Sequence, residues 1–139
     1  MLIENLIYLL TPCSPMAREM GYLRDSVSIM SRYSRCKREW SGHLRKSRKT
    51  IEDAIGQAPK NGKVIIFGAG LGYDLPLRQL TSHFSQVVLV DLVHTLPIKA
   101  KTLFSKKVEL AVRDVTESLT NIYEGCLLYT SDAADERLR

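Results

Sequence analysis

The chain has 139 residues, 45% of them hydrophobic and 25% charged, with a formal net charge of +5. These values fit one ordinary globular domain rather than two. Three cysteines, Cys13, Cys36 and Cys126, share no metal-like spacing and are odd in number, which excludes a closed disulfide framework and leaves no readable zinc site or Cys–His nucleophile pair.

The first apolar stretch, Leu2 to Leu10, is interrupted by Glu4 and Asn5 and is too short to span a bilayer. It has no basic leader and no small-residue cleavage site, so the expectation is a cytoplasmic chain with no membrane partner. Residues 15–33 then place Met16, Met20, Leu23, Val27 and Met30 at spacings of three and four, a single apolar stripe that predicts a helix. Thr11 and Ser14 are candidate N-caps, and Pro15 suits a first helical turn. Residues 38–57 repeat the pattern with Trp40, Leu44, Ile51, Ala54 and Ile55. Residues 1–60 therefore read as a helical N-terminal extension.

Gly56, Pro59 and Asn61-Gly62 punctuate the chain before the period changes. Val64-Ile-Ile-Phe67 and Val87-Val-Leu-Val90 are short continuous apolar runs, as expected for strands buried on both faces, and Val108 to Val112 is a weaker third. Residues 74–83 and 95–104 between them have helical length and spacing. Strands alternating with helices predict an α/β fold with a Rossmann-like parallel sheet of about three strands over residues 61–125.

The chemistry concentrates in Phe67-Gly-Ala-Gly-Leu-Gly-Tyr-Asp74. Gly68, Gly70 and Gly72 follow a strand, where the turn needs backbone angles other residues resist and a ligand must approach the main chain closely. Asp74 is placed to cap the next helix, with Pro76 in its first turn. Asp91 stands at the end of the second strand, nineteen residues after Gly72, where a carboxylate can accept hydrogen bonds from ribose hydroxyls. Asp114 lies just past the third strand.

These residues resemble the class I S-adenosylmethionine-dependent methyltransferases over roughly residues 60–122. Gly68-Ala69-Gly70-Leu71-Gly72 matches their G-x-G-x-G motif, Asp91 their ribose-binding acid, and Asp114 the acid often placed near adenine. The wider run from Trp40-Ser-Gly-His-Leu to Val-Asp-Leu-Val-His94 is similar to uncharacterised bacterial members of that superfamily. Ile66 departs from the pattern, since many members carry an acid there. The resemblance implies S-adenosyl-L-methionine as cofactor, held by Gly68, Ala69, Gly70, Gly72, Asp91, Leu92 and Asp114. It names no methyl acceptor and no catalytic residue.

Two other readings stay open. An NAD-type oxidoreductase shares the strand–turn–helix logic, but its pattern wants glycine or alanine where Tyr73 stands, a residue expected to crowd helix against strand. A non-catalytic Rossmann-like module is the other, using residues 18–49, where ten basic residues face three acids, to bind a partner such as nucleic acid. Trp40 reads as a core anchor, His94 as a loop histidine near the ribose-binding strand, and His43 suggests nothing.

Residues 126–136, Cys-Leu-Leu-Tyr-Thr-Ser-Asp-Ala-Ala-Asp-Glu, resemble a translated transposase mosaic end and sequencing adapter. The expectation is a non-native tail over 126–139 and a parent protein that continues past Gly125, so that the 139-residue chain is a truncated, inactive fragment.

Overall fold

A computed structural model describes residues 2–126. The expected tail, apart from Cys126, lies outside the described residues. Four helices come first: α1 (Leu2–Leu10), α2 (Pro15–Glu19), α3 (Tyr22–Arg35) and α4 (Lys37–Gln57). Then strands and helices alternate: β1 (Lys63–Phe67), α5 (Leu77–His83), β2 (Gln86–Asp91), α6 (Leu96–Thr102) and β3 (Val108–Val112). Residues 119–126 are helical again.

The three strands form one parallel sheet in the order β1-β2-β3. Ile65 pairs with Val88 and Val88 with Glu109, so the carboxyl ends of all three strands lie along one edge. This is the α/β, Rossmann-like half-fold read from the sequence. No helix among the described residues is long and apolar enough to cross a membrane.

One face of the sheet carries the core. Val87 and Leu89 of β2 are fully buried against Leu80 of α5, Phe84 just after it, Ile98 of α6 and Ile55 of α4. Side chains of this size, once fully buried, each contribute about 1.5–3 kcal/mol. Because Ile55 belongs to this core, the end of α4 is fixed to the sheet. A second cluster joins Ala17, Leu23 and Val27 of the early helices to Val93 after β2. Tyr123 donates a hydrogen bond to Glu19, tying the helical residues 119–126 to α2.

The helical stripe over 15–33 is real but divided. Ser14 caps α2, its hydroxyl accepting from the Ala17 N–H at 3.2 Å, whereas Thr11 is buried and caps nothing. Gly21, at φ +87°, breaks the stripe into α2 and α3. A single residue, Cys36, separates α3 from α4.

Two further expectations are corrected. β1 is not buried on both faces: Ile65 is 49% and Phe67 62% exposed, because among the described residues β1 is a margin of the sheet and only β2 is flanked on both sides. The helix expected from Asp74 begins at Leu77, with Pro76 at the N-cap and no side-chain cap. Residues 68–76 instead form an extended connection in which Gly68, Gly70 and Gly72 all have positive φ.

Candidate functional site

The glycine loop rests on the end of β2. The Gly68 and Ala69 N–H groups both donate to the Val90 carbonyl, at 2.9 and 3.3 Å, and Gly72 N–H closes a turn on Ala69 at 3.0 Å. Beyond that point the Asp91 side chain takes over. Its Oδ2 accepts from the Gly70 N–H at 2.7 Å and its Oδ1 from the Leu92 N–H at 2.7 Å. The Asp91 backbone carbonyl accepts from Arg113 N–H at 3.0 Å. One residue at the end of β2 therefore links the loop after β1 to the residue that follows β3.

The glycines differ in what they are for. At Gly68 a Cβ would meet nothing within 4 Å, and at Gly70 only the Gly68 carbonyl at 4.0 Å, so these two serve the left-handed backbone and keep the space above them open. At Gly72 a Cβ would fall 2.8 Å from Ile98 Cδ1, so α6 packs directly against the loop there. Lys101 of α6 adds a hydrogen bond from its ammonium to the Gly72 carbonyl at 2.8 Å. Desolvation of that ammonium, with Arg48 nearby, lowers the Lys101 pKa.

Two cavities open beside the loop, and Gly68 lines both. The smaller, about 370 Å³, lies beyond the ends of β2 and β3 and is walled by Asp91, Leu92, Arg113, Asp114 and Leu119. Asp114 is braced from its own loop: Oδ1 accepts from the Thr116 hydroxyl at 2.7 Å and the Thr116 N–H at 3.0 Å, and Oδ2 from the Leu119 N–H at 2.7 Å. The Thr116 hydroxyl, followed by the Leu119 N–H, holds the Asp114 carboxyl below the usual aspartate range.

The larger cavity, about 490 Å³, lies between the glycine loop and the bend of α3 into α4. Ile29, Glu39, Trp40, His43 and Leu44 line it from the helices, and residues 68–74 from the loop. Tyr73 fastens the two sides together. Its ring stacks on Tyr33 of α3 at a centroid distance of 3.9 Å, and its carbonyl accepts from the Arg48 guanidinium at 2.6 Å. Burial, with Tyr33 alongside, raises the Tyr73 phenol pKa.

Of the residues singled out in the sequence, Gly68, Asp91, Leu92 and Asp114 come together on the smaller cavity, and Gly68, Ala69, Gly70 and Gly72 on the larger. His94 lines neither; it is buried, and its Nε2 donates to the Ala111 carbonyl at 3.1 Å. Trp40 is half-buried on the cavity rather than anchored in a core, with its ring 6.2 Å from Tyr33. Glu39 and His43 are additions, four residues apart on α4 and facing the same space. Their spacing with Trp40 and Leu44 was visible in the sequence, but what they face was not. No group of three or more potential metal ligands occurs among the described residues. Comparisons with protein-family models, with curated proteins and with solved structures give no match to this chain.

Proposed function

We propose that this chain is the cofactor-binding half of an S-adenosyl-L-methionine-dependent methyltransferase. The residues that would hold the cofactor are Gly68, Ala69, Gly70, Gly72, Asp91, Leu92 and Asp114. When bound, the cofactor supplies an electrophilic methyl group on a sulfonium; the protein's part is to position donor and acceptor and to exclude water.

The observation that carries this reading is the Asp91 carboxylate on the wall it shares with Gly68 and Asp114. A carboxylate offers about four lone-pair sites. Gly70 and Leu92 occupy one on each oxygen, and Val93 N–H stands at 3.5 Å from Oδ1, at the limit of a bond. Asp91 thus keeps accepting capacity toward a ribose diol while it braces the loop. The open space over Gly68 and Gly70 is the room a ligand needs to lie against the main chain.

The same geometry argues against a dinucleotide, though for a different reason from crowding by Tyr73, whose ring turns to Tyr33. A pyrophosphate is normally held at the N-terminus of the helix that directly follows the glycines. Here α5 starts only at Leu77. The carboxylates of Asp91 and Asp114 on the smaller cavity, against one cation among the described residues, Arg113, and that of Asp74 on the glycine loop make a setting that favours a sulfonium over a diphosphate.

Calorimetric titration of the 139-residue protein with S-adenosylmethionine, S-adenosylhomocysteine and NAD tests the proposal. At least tenfold tighter binding of the two sulfur compounds is expected, and tighter binding of NAD overturns it. A second reading, a module that binds a polyanionic partner, is favoured by Arg45, Lys46 and Lys49, which stand exposed on α4. Nucleic-acid binding that weakens steeply with salt, without any binding of the sulfur compounds, would select it.

A further inference from the structure

We infer that the helix side of the larger cavity, where Ile29, Trp40, His43 and Leu44 face the glycine loop, takes the methyl acceptor, and that the acceptor is a small, flat nitrogen base. The inference rests on the methyltransferase reading and adds the substrate class. Gly68 lines both cavities. An adenosine held at Asp91 and Asp114 would have its sulfur end directed past Gly68, toward Trp40.

The walls of that cavity select against anions and in favour of developing positive charge. Among the described residues its lining contains the carboxylates of Glu39 and Asp74 and no lysine or arginine. The neighbouring cations are held on the loop's backbone, Arg48 on the Tyr73 carbonyl and Lys101 on the Gly72 carbonyl. Trp40 offers a half-buried ring face, flanked by Leu44 and Ile29. A flat aromatic ring gains by stacking there, and a cationic ring gains more. The volume, about 490 Å³, is that of a small-molecule site.

Nitrogen is the nucleophile that uses this arrangement. As its lone pair forms the bond to the methyl carbon, the carbon–sulfur pair stays on sulfur, which becomes a neutral thioether. Positive charge passes from sulfur to nitrogen, where Glu39 and Asp74 stabilise it. Where that nitrogen bears hydrogen, His43 on the same wall accepts the proton, and methylated amine, thioether and imidazolium balance the step.

Trp40 is the only tryptophan in the sequence, so its fluorescence reports on this cavity alone. The full chain is titrated with benzimidazole, and separately with benzoate and catechol, each with and without saturating S-adenosylhomocysteine. Cofactor occupancy is followed independently by calorimetry. Saturable quenching by benzimidazole at least tenfold tighter than by benzoate or catechol is expected. Glu39→Gln should weaken benzimidazole several-fold without changing S-adenosylhomocysteine affinity, while Lys46→Gln, outside the cavity on the same helix, should change neither. If S-adenosylhomocysteine binds but benzimidazole shows no advantage, the acceptor class is overturned and the cofactor reading stands. If S-adenosylhomocysteine does not bind, both fall.

Discussion

The Asp91 carboxylate accepts a 2.7 Å hydrogen bond from the backbone N–H of Gly70, a residue 21 positions earlier in the chain. A strand-end acid is thereby part of the glycine loop's own structure as well as a wall of the cavity beside it. The two roles make separable demands, and substitution distinguishes them.

Asp91→Ala removes the acceptor for Gly70 and Leu92 and any acceptor for a ribose. Affinity for the proposed cofactor should fall by about 2–3 kcal/mol, the scale of lost charge-assisted hydrogen bonds. Asp91→Asn is the informative partner, since its amide can accept from Leu92 but presents N–H to the Gly70 N–H. Calorimetry with S-adenosylhomocysteine on both variants checks this; affinity within a factor of three of the parent in Asp91→Ala would mean that Asp91 serves only the loop.

Gly72 is tested by stability instead. An alanine there would set a Cβ 2.8 Å from Ile98 Cδ1 at a backbone φ of +60°. The left-handed conformation alone costs about 1–2 kcal/mol for a non-glycine residue, and overpacking adds to it. Gly42, inside α4 with nothing within 4 Å of an added Cβ, is the opposite case. Gly42→Ala should stabilise by about 0.5–1 kcal/mol. Urea denaturation of the two variants should move the midpoint in opposite directions. In an Ile98→Val background, which removes the clashing methyl, the penalty at Gly72 should shrink without vanishing.

Much of this arrangement is legible in the sequence, and the division is physical. Val64–Phe67 and Val87–Val90 are continuous apolar runs bounded by glycine or acid, so strand, loop and strand-end carboxylate follow from local pattern. The start of α5 does not, because Asp74 and Pro76 form an acceptable capping pair locally. The loop's three positive-φ glycines and its attachment to Lys101 and Arg48 delay the helix by three residues. Exposure of Ile65 and Phe67 depends on where β1 falls in the sheet, which no local pattern records. Trp40 and His43 have helical spacing consistent with any buried or exposed face. Only the bend at Cys36 and the Tyr33–Tyr73 stack turn that face onto the glycine loop.

That stack should matter in proportion to what it fastens. Aromatic pairs contribute about 0.5–1.5 kcal/mol beyond buried area, so a double-mutant cycle on Tyr33→Ala and Tyr73→Ala should give a coupling of that size in urea denaturation. Trp40 lies next to Tyr33, with ring centroids 6.2 Å apart, and its emission should shift to the red in either single variant as the cavity wall loosens. Additive single effects would show that α3 is held against the loop by other contacts.

Acid should act first on the turn after β3. The Asp114 carboxyl is held below its ordinary value by the Thr116 hydroxyl first and the Leu119 N–H second. Its folded-state pKa is thus below its unfolded one, near 3.9. The unfolded form binds the proton more readily, so the contribution of Asp114 is complete above that unfolded value and is lost as pH falls through the folded value. The consequence is local, since Asp114 holds the N–H groups of Thr116 and Leu119 at the entry to residues 119–126. Lowering the pH from 6 to below 3 should release those two amides to hydrogen exchange before the amides of β2, after correction for the intrinsic pH dependence of exchange. Asp114→Asn retains one acceptor without a titrating proton and should flatten that dependence. Equal protection of Thr116 and Leu119 at pH 6 and pH 3 in the parent protein would show that the carboxylate does not organise the turn. Asp114 would then be free to serve a ligand alone.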